Sequence, residues 1–148
     1  MLGHGGVLTA VVGGGRLFAD RHREIAWGDP VSPGRPDDRP WPGSLPAPFP
    51  ATVFPLPLLV CVVGSDGKQV EIDARGMLSG EPTGFSPTNS MRDLGAPLSW
   101  AGPWPVDERW WSPGYGRVVN RFQLVDAGGT AWLLALEDGR WWAEARYD

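Results

Sequence analysis

From Arg117 to Tyr147 apolar and polar residues alternate, and two short polar turns interrupt the run. A period of two is that of a β-strand with one buried face. Asp138-Gly139 fits a two-residue type I′ turn, whose central residues both need positive φ. That turn pairs Leu136 with Trp141, Leu134 with Ala143 and Trp132 with Ala145, and Tyr147 extends the same apolar face. Asp126-Ala127-Gly128-Gly129 fits a three-residue loop over 127–129, with glycine in the left-handed region. It pairs Leu124 with Trp132 and Phe122 with Leu134. The pattern thus predicts a three-stranded antiparallel meander with one apolar face. A slip of one residue would carry Arg121 and Gln123 onto that face, so the register is well specified. Trp132 and Trp141 are expected in the core. The other face carries Arg121, Gln123, Leu133, Ala135, Trp142, Glu144 and Arg146. On it, Arg121 and Trp142 flank Ala135 from two sides.

The rest of the chain also reads as β, and no segment carries a helical stripe. Leu58–Val63 is a β-branched run, Ser65-Asp66-Gly67-Lys68 a turn of type I′, and Gln69–Asp73 an alternating strand. Residues 81–97 read as loop. Residues 30–57 hold ten of the sixteen prolines. Proline removes amide donors and fixes φ, so this stretch is expected to be an extended linker or arm. Two short β-prone runs, Val7–Val12 and Glu24–Trp27, precede it. Such a pair cannot bury enough surface to stand alone. The expected organisation is an N-terminal strand pair over 1–29, a remnant of a larger domain. A proline-rich arm over 30–57 and a β domain over 58–148 follow. The fold class is mainly β: a small antiparallel barrel or folded sheet with the C-terminal meander.

Composition narrows the functions. Net charge is −4, and residues 98–148 carry five arginines against seven acids. That is no footprint for duplex DNA. Cys61 lies in an apolar run and is expected to be a buried structural thiol. His4 and His22 have no Cys or acidic partner at ligand spacing, so no metal is expected. No nucleophile motif is present, and neither catalytic residues nor a cofactor are expected. No run approaches the ~18 apolar residues of a membrane span, and no basic segment precedes an N-terminal apolar run. A cytoplasmic protein is expected, without membrane contact.

Seven of the nine tryptophans fall between Trp100 and Trp142. Tryptophan is enriched where proteins grip partners. Trp142, on an otherwise polar face, is either covered by the 104–111 segment or forms an aromatic–arginine platform with Arg121. Such a platform suits a protein hot spot or a stacked base. The prolines on both sides of Trp104 are expected to keep it out of a regular ladder.

The strings Gly102-Pro103-Trp104-Pro105-Val106-Asp107-Glu108-Arg109-Trp110-Trp111, Arg121-Phe122-Gln123-Leu124-Val125 and Gly139-Arg140-Trp141-Trp142-Ala143-Glu144-Ala145-Arg146-Tyr147-Asp148 resemble the C-terminal region of the ImuB family. Gly13-Gly14-Gly15-Arg16, Trp27-Gly28-Asp29-Pro30 and the stretch from Arg39 to Pro48 resemble it too. ImuB proteins are Y-family polymerase-like subunits of an actinobacterial mutasome, and they act in damage-induced mutagenesis and translesion synthesis. The resemblance implies a non-catalytic protein-interaction module. Its implied partners are a RecA-like accessory protein and an error-prone C-family DNA polymerase. The resemblance is to the region after the polymerase-like core, without palm, fingers, thumb or little finger. A clamp-binding peptide of Gln-x-x-Leu-aromatic type is missing. The nearest string, Pro55-Leu56-Pro57-Leu58-Leu59, has neither Gln nor aromatic, so a sliding-clamp contact is not expected. The candidate partner-binding residues are Trp104, Asp107, Arg109, Trp110, Trp111, Arg121 and Trp142. The alternatives are a single-stranded DNA-binding β-barrel and a structural cap or truncated remnant of the polymerase-like protein.

Overall fold

The structure is a computed structural model, and it describes residues 8–12, 22–26, 44–45, 47–108 and 117–147. The chain divides into two units, Met1–Ser44 and Leu45–Asp148. In the first, β1 (Leu8–Val12) pairs antiparallel with β2 (His22–Ala26), Leu8 opposite Ala26 and Val12 opposite His22. The second holds β3 (Thr52–Val63), β4 (Gly84–Ser86), β5 (Ser99–Glu108), β6 (Arg117–Val125), β7 (Ala131–Glu137) and β8 (Arg140–Tyr147). These six strands form one curled antiparallel sheet, a half-barrel, in the order β4-β3-β8-β7-β6-β5. The chain is mainly β, as the alternation predicts.

The meander of β6, β7 and β8 forms with both expected turns. Asp138 and Gly139 take φ of 48° and 70°, as type I′ requires. Gly129 takes φ of 86° and closes the loop on Asp126, whose Oδ1 accepts from Gly128 N and Thr130 N. Leu124 faces Trp132, Phe122 faces Leu134, Leu134 faces Ala143 and Leu136 faces Trp141. The apolar face so made holds Phe122, Leu124, Trp132, Leu134, Leu136 and Trp141 in one buried cluster. Val60 and Val62 of β3 join it, with Val70 and Phe85 from the segment between β3 and β5. Trp141 donates from its indole to Val70 O at 2.7 Å, and Trp132 donates to Asp126 Oδ2 at 2.9 Å. Both core tryptophans therefore bury their rings and satisfy their N–H groups.

Several local expectations change, among them the loop expected over 81–97, which contains the strand β4. In β8 the register shifts between Leu133 and Leu134, and Glu144 is the extra residue. A bulge of one residue swaps the faces beyond it. Ala145 therefore meets Leu133, Arg146 meets Trp132, and Tyr147 meets Ala131. Tyr147 leaves the core face for the second face, where its hydroxyl accepts from Gln123 Nε2 at 2.8 Å.

The end of the proline-rich stretch is strand, not linker. β3 begins at Thr52, and its pairing with β8 jumps from Val53–Ala145 to Leu58–Ala143. Phe54 to Pro57 bulge between those pairs, so Pro55 and Pro57 sit where no ladder donor is needed. Trp104 is likewise in a ladder. It lies in β5 opposite Arg121, past a further register shift at Gly102-Pro103. β5 is an edge strand of the sheet, where proline is tolerated.

Gly64 to Lys68 form a loop with only Gly67 at positive φ, 74°, in place of a type I′ turn. Gln69–Asp73 makes isolated bridges, Val63–Gln69 and Ile72–Leu78, and no strand. Asp73 turns the chain back too soon for a ladder, its Oδ1 accepting from Arg75 N and Met77 N. Cys61 is half-buried, not fully buried, with its thiol 3.5 Å from Met91 Sδ. No helix among the described residues is long and apolar enough to cross a membrane.

Candidate functional site

The second face of the sheet carries a row of residues joined pair by pair across five strands. Trp104 of β5 faces Arg121 of β6, which faces Ala135 of β7. Ala135 faces Trp142 of β8, which faces Leu59 of β3. Alternation places all five side chains on one side of the sheet. Arg121 and Trp142 flank Ala135 as the register predicts. With strands ~4.8 Å apart, Trp104 and Trp142 stand roughly 14 Å from each other along this row.

Arg121 is not a surface residue. Its side chain is 1% exposed, and its Nε donates to Glu144 Oε2 at 2.9 Å. A guanidinium so buried is held in place by charge-assisted hydrogen bonds and is committed to the fold. Val119, Leu133 and Ala145 on this face are buried too. Trp142 differs from them, being half-buried. Trp104 is also half-buried. Neither indole N–H has an acceptor among the described residues, in contrast to Trp132 and Trp141.

Trp142 lines a cleft of about 580 Å³ on this face. Ala135 lies at its base, and Pro57, from the β3 bulge, lines it too. Arg117, Glu137, Asp138, Arg140 and Glu144 complete the lining. Most of these charges are already engaged. Arg117 makes a two-pronged pair with Glu137, and Glu144 is taken by Arg121. Arg140 and Asp138 make no ion pair or hydrogen bond through their side chains among the described residues. The result is a mixed hollow in which an indole, an alanine and a proline stand among five charged side chains, a combination of apolar anchor and polar groups that a ligand or peptide pocket uses. Along β3 the apolar surface continues through Leu59, which is 41% exposed.

The candidate residues thus separate. Trp104, Arg121 and Trp142 share one row, although only Trp142 lines the cleft. Asp107 pairs with Val118 and alternates to the other side of β5 from Trp104 and Val106. Arg109, Trp110 and Trp111 lie outside the described residues, and with them the larger question of whether the 104–111 segment covers Trp142. Pro57, Arg117, Glu137 and Arg140 join the site without having been singled out. For the last three the signal is in the sequence: alternation from Arg121, Ala135 and Trp142 places them on the same face. Pro57 carries no such signal, because a bulge puts it there.

A second hollow of about 370 Å³ lies at the end of the core face, lined by Glu71, Asp73, Val118, Asn120 and Asp138 among others. Among the described residues no three His, Cys, Asp or Glu side chains are grouped to hold a metal ion. No protein-family model, no curated protein and no solved structure matches the chain.

Proposed function

We propose that this chain is a non-catalytic protein-interaction module of a polymerase-like mutasome protein, working in DNA repair by translesion synthesis. Its partners in this reading are a RecA-like accessory protein and an error-prone C-family DNA polymerase. The observation that carries the interaction role is the Trp142 cleft, a half-buried indole whose N–H has no acceptor among the described residues, beside an alanine and a proline. Rigid aromatic anchors in such hollows dominate protein–protein binding energy. The link to the mutasome rests on the resemblance of the Gly102–Trp111 and Gly139–Asp148 strings to ImuB.

Charge argues against the single-stranded DNA reading. Nucleic-acid grooves combine aromatic platforms with an excess of basic side chains. The cleft holds two arginines and three acids, and one of those arginines is paired with one of those acids.

Co-purification with the RecA-like protein and the polymerase, at low and high salt, tests the reading. Capture that persists in high salt and is lost in Trp142→Ala is the expected result. If a well-folded chain captures neither protein, the proposal fails. Affinity only for single-stranded DNA, falling steeply with salt, would establish the alternative instead.

A further inference from the structure

Two hydrogen-bond donors in the Trp142 cleft, the Arg140 guanidinium and the Trp142 indole N–H, have no partner among the described residues. Arg140 and Trp142 are two residues apart on β8 and so project from the same face, about 7 Å apart along the strand. Arg140 lies opposite Glu137, whose carboxylate is occupied by both prongs of Arg117. Glu144, the next acid along β8, is occupied by the buried Arg121. The type I′ turn fixes where Arg140 stands, and the pairing of Trp142 with Ala135 and Leu59 fixes the indole. Asp138, also without a side-chain partner among the described residues, lines both this cleft and the acidic hollow of the core face. Within the cleft the unengaged groups are therefore chiefly donors.

We propose that the cleft is a peptide site selective for an acidic, apolar segment of a protein partner. An apolar side chain seats on Ala135 between Pro57 and the Trp142 ring. A carboxylate one or two residues away is taken by the Arg140 guanidinium and the Trp142 indole N–H. The volume suits one or two anchoring side chains, and pockets of this kind span about 300–1,000 Å³. The rest of the segment runs over the exposed Leu59 of β3. The charge balance supplies the choice of partner. A basic segment would find the cleft's glutamates already engaged and only Asp138 open, whereas an acidic one completes the Arg140 guanidinium, which has no ion pair among the described residues. This inference rests on the protein-interaction reading and specifies what that interaction surface accepts.

Selection of a random dodecapeptide library on the immobilised full chain tests it. Enriched peptides are then titrated into the ¹⁵N-labelled protein while the tryptophan indole signals are followed, with Trp142 assigned through Trp142→Phe. The expected peptides carry Asp or Glu beside Leu, Ile, Met or an aromatic residue, and they move the Trp142 indole signal. Arg140→Gln is expected to weaken them about tenfold, the scale of one charge-assisted hydrogen bond. Changing the peptide's acid to its amide should cost the same in wild type and nothing further in Arg140→Gln. Enrichment of basic or uncharged peptides overturns the proposal. So does the absence of any enrichment, an unmoved Trp142 signal, or equal affinity in a folded Arg140→Gln. The selection uses neither mutasome protein. Failure here with capture intact therefore removes only the peptide site, and failed capture with the peptide site intact removes only the mutasome assignment.

Discussion

Adjacent tryptophans have opposite fates in this protein because successive strand side chains point to opposite faces. Trp141 is 1% exposed, packs its ring at a tilt against Phe122 with centroids 4.7 Å apart, and donates to Val70 O. Trp141→Ala is expected to lower the unfolding free energy by about 3–5 kcal/mol, the range for deleting a core aromatic. Trp142→Ala should cost less than about 1 kcal/mol, since the half-buried ring leaves no closed cavity. Urea unfolding of both variants decides, and equal losses would show that Trp142 belongs to a core. Tyr147 carries a second expectation. Burial pushes its phenol above the ordinary value, against smaller lowering effects of the Gln123 hydrogen bond and the Arg121 charge. A proton held more tightly in the folded chain contributes stability that is complete below the unfolded pKa, about 10 for tyrosine. That contribution is lost as pH rises through the higher folded value. Urea midpoints from about pH 8 to about pH 11 should therefore fall, and fall less in Tyr147→Phe. Both belong in a Cys61→Ala background, because burial raises that thiol as well. A decline of the same depth without the Tyr147 phenol would assign it to other groups.

At the scale of the element, two glycines separate backbone strain from steric collision. Gly139 has φ of 70° in the type I′ turn, with nothing within 4 Å of an added Cβ. Gly139→Ala should cost about 1–2 kcal/mol, the left-handed penalty alone. Gly102 has φ of 124° at the β5 register shift, where an added Cβ would lie 2.7 Å from Arg121 O and 2.9 Å from Phe122 Cδ1. Gly102→Ala must move the β5 backbone or Phe122, so its loss should exceed that of Gly139→Ala and loosen β5. Amide exchange along Ser99–Glu108 would show that loosening, and unchanged protection there would mean that the edge accommodates the methyl group. The same elements explain what the sequence discloses. The meander was legible because Asp138-Gly139 and Gly129 fix their turns, and alternation then fixes both faces. β5 and the start of β3 were not, because proline speaks against strands unless the strand is known to be an edge or bulged. Edge position is a property of the sheet and not of the segment. The Glu144 bulge was hidden too, since one inserted residue leaves composition and mean alternation unchanged. The candidate site was partly legible for the same reasons. The Arg121–Ala135–Trp142 row followed from register, whereas the burial of Arg121 by an ion pair and the entry of Pro57 came from packing and the bulge.

At the scale of the whole molecule, everything the interaction reading needs lies in the unit Leu45–Asp148. Every member of the buried cluster, from Val60 to Ala143, falls within it. So does every residue lining the cleft, from Pro57 to Glu144. Its sheet has two edges, and both are poor templates for further pairing. β4 is three residues long, and β5 carries Pro103 and Pro105. A chain of residues 45–148 alone is therefore expected to unfold in one cooperative urea transition, with tryptophan fluorescence and far-ultraviolet dichroism superimposing. It should also stay monomeric, and should bind the peptides selected on the full chain with the same dependence on Arg140. A broad or probe-dependent transition would mean that the half-barrel borrows stability from Met1–Ser44. A cooperative transition with peptide binding lost would place an essential part of the binding surface in those first residues. Cooperative folding with binding retained would make the second unit the whole interaction module, with the β1–β2 pair dispensable for it.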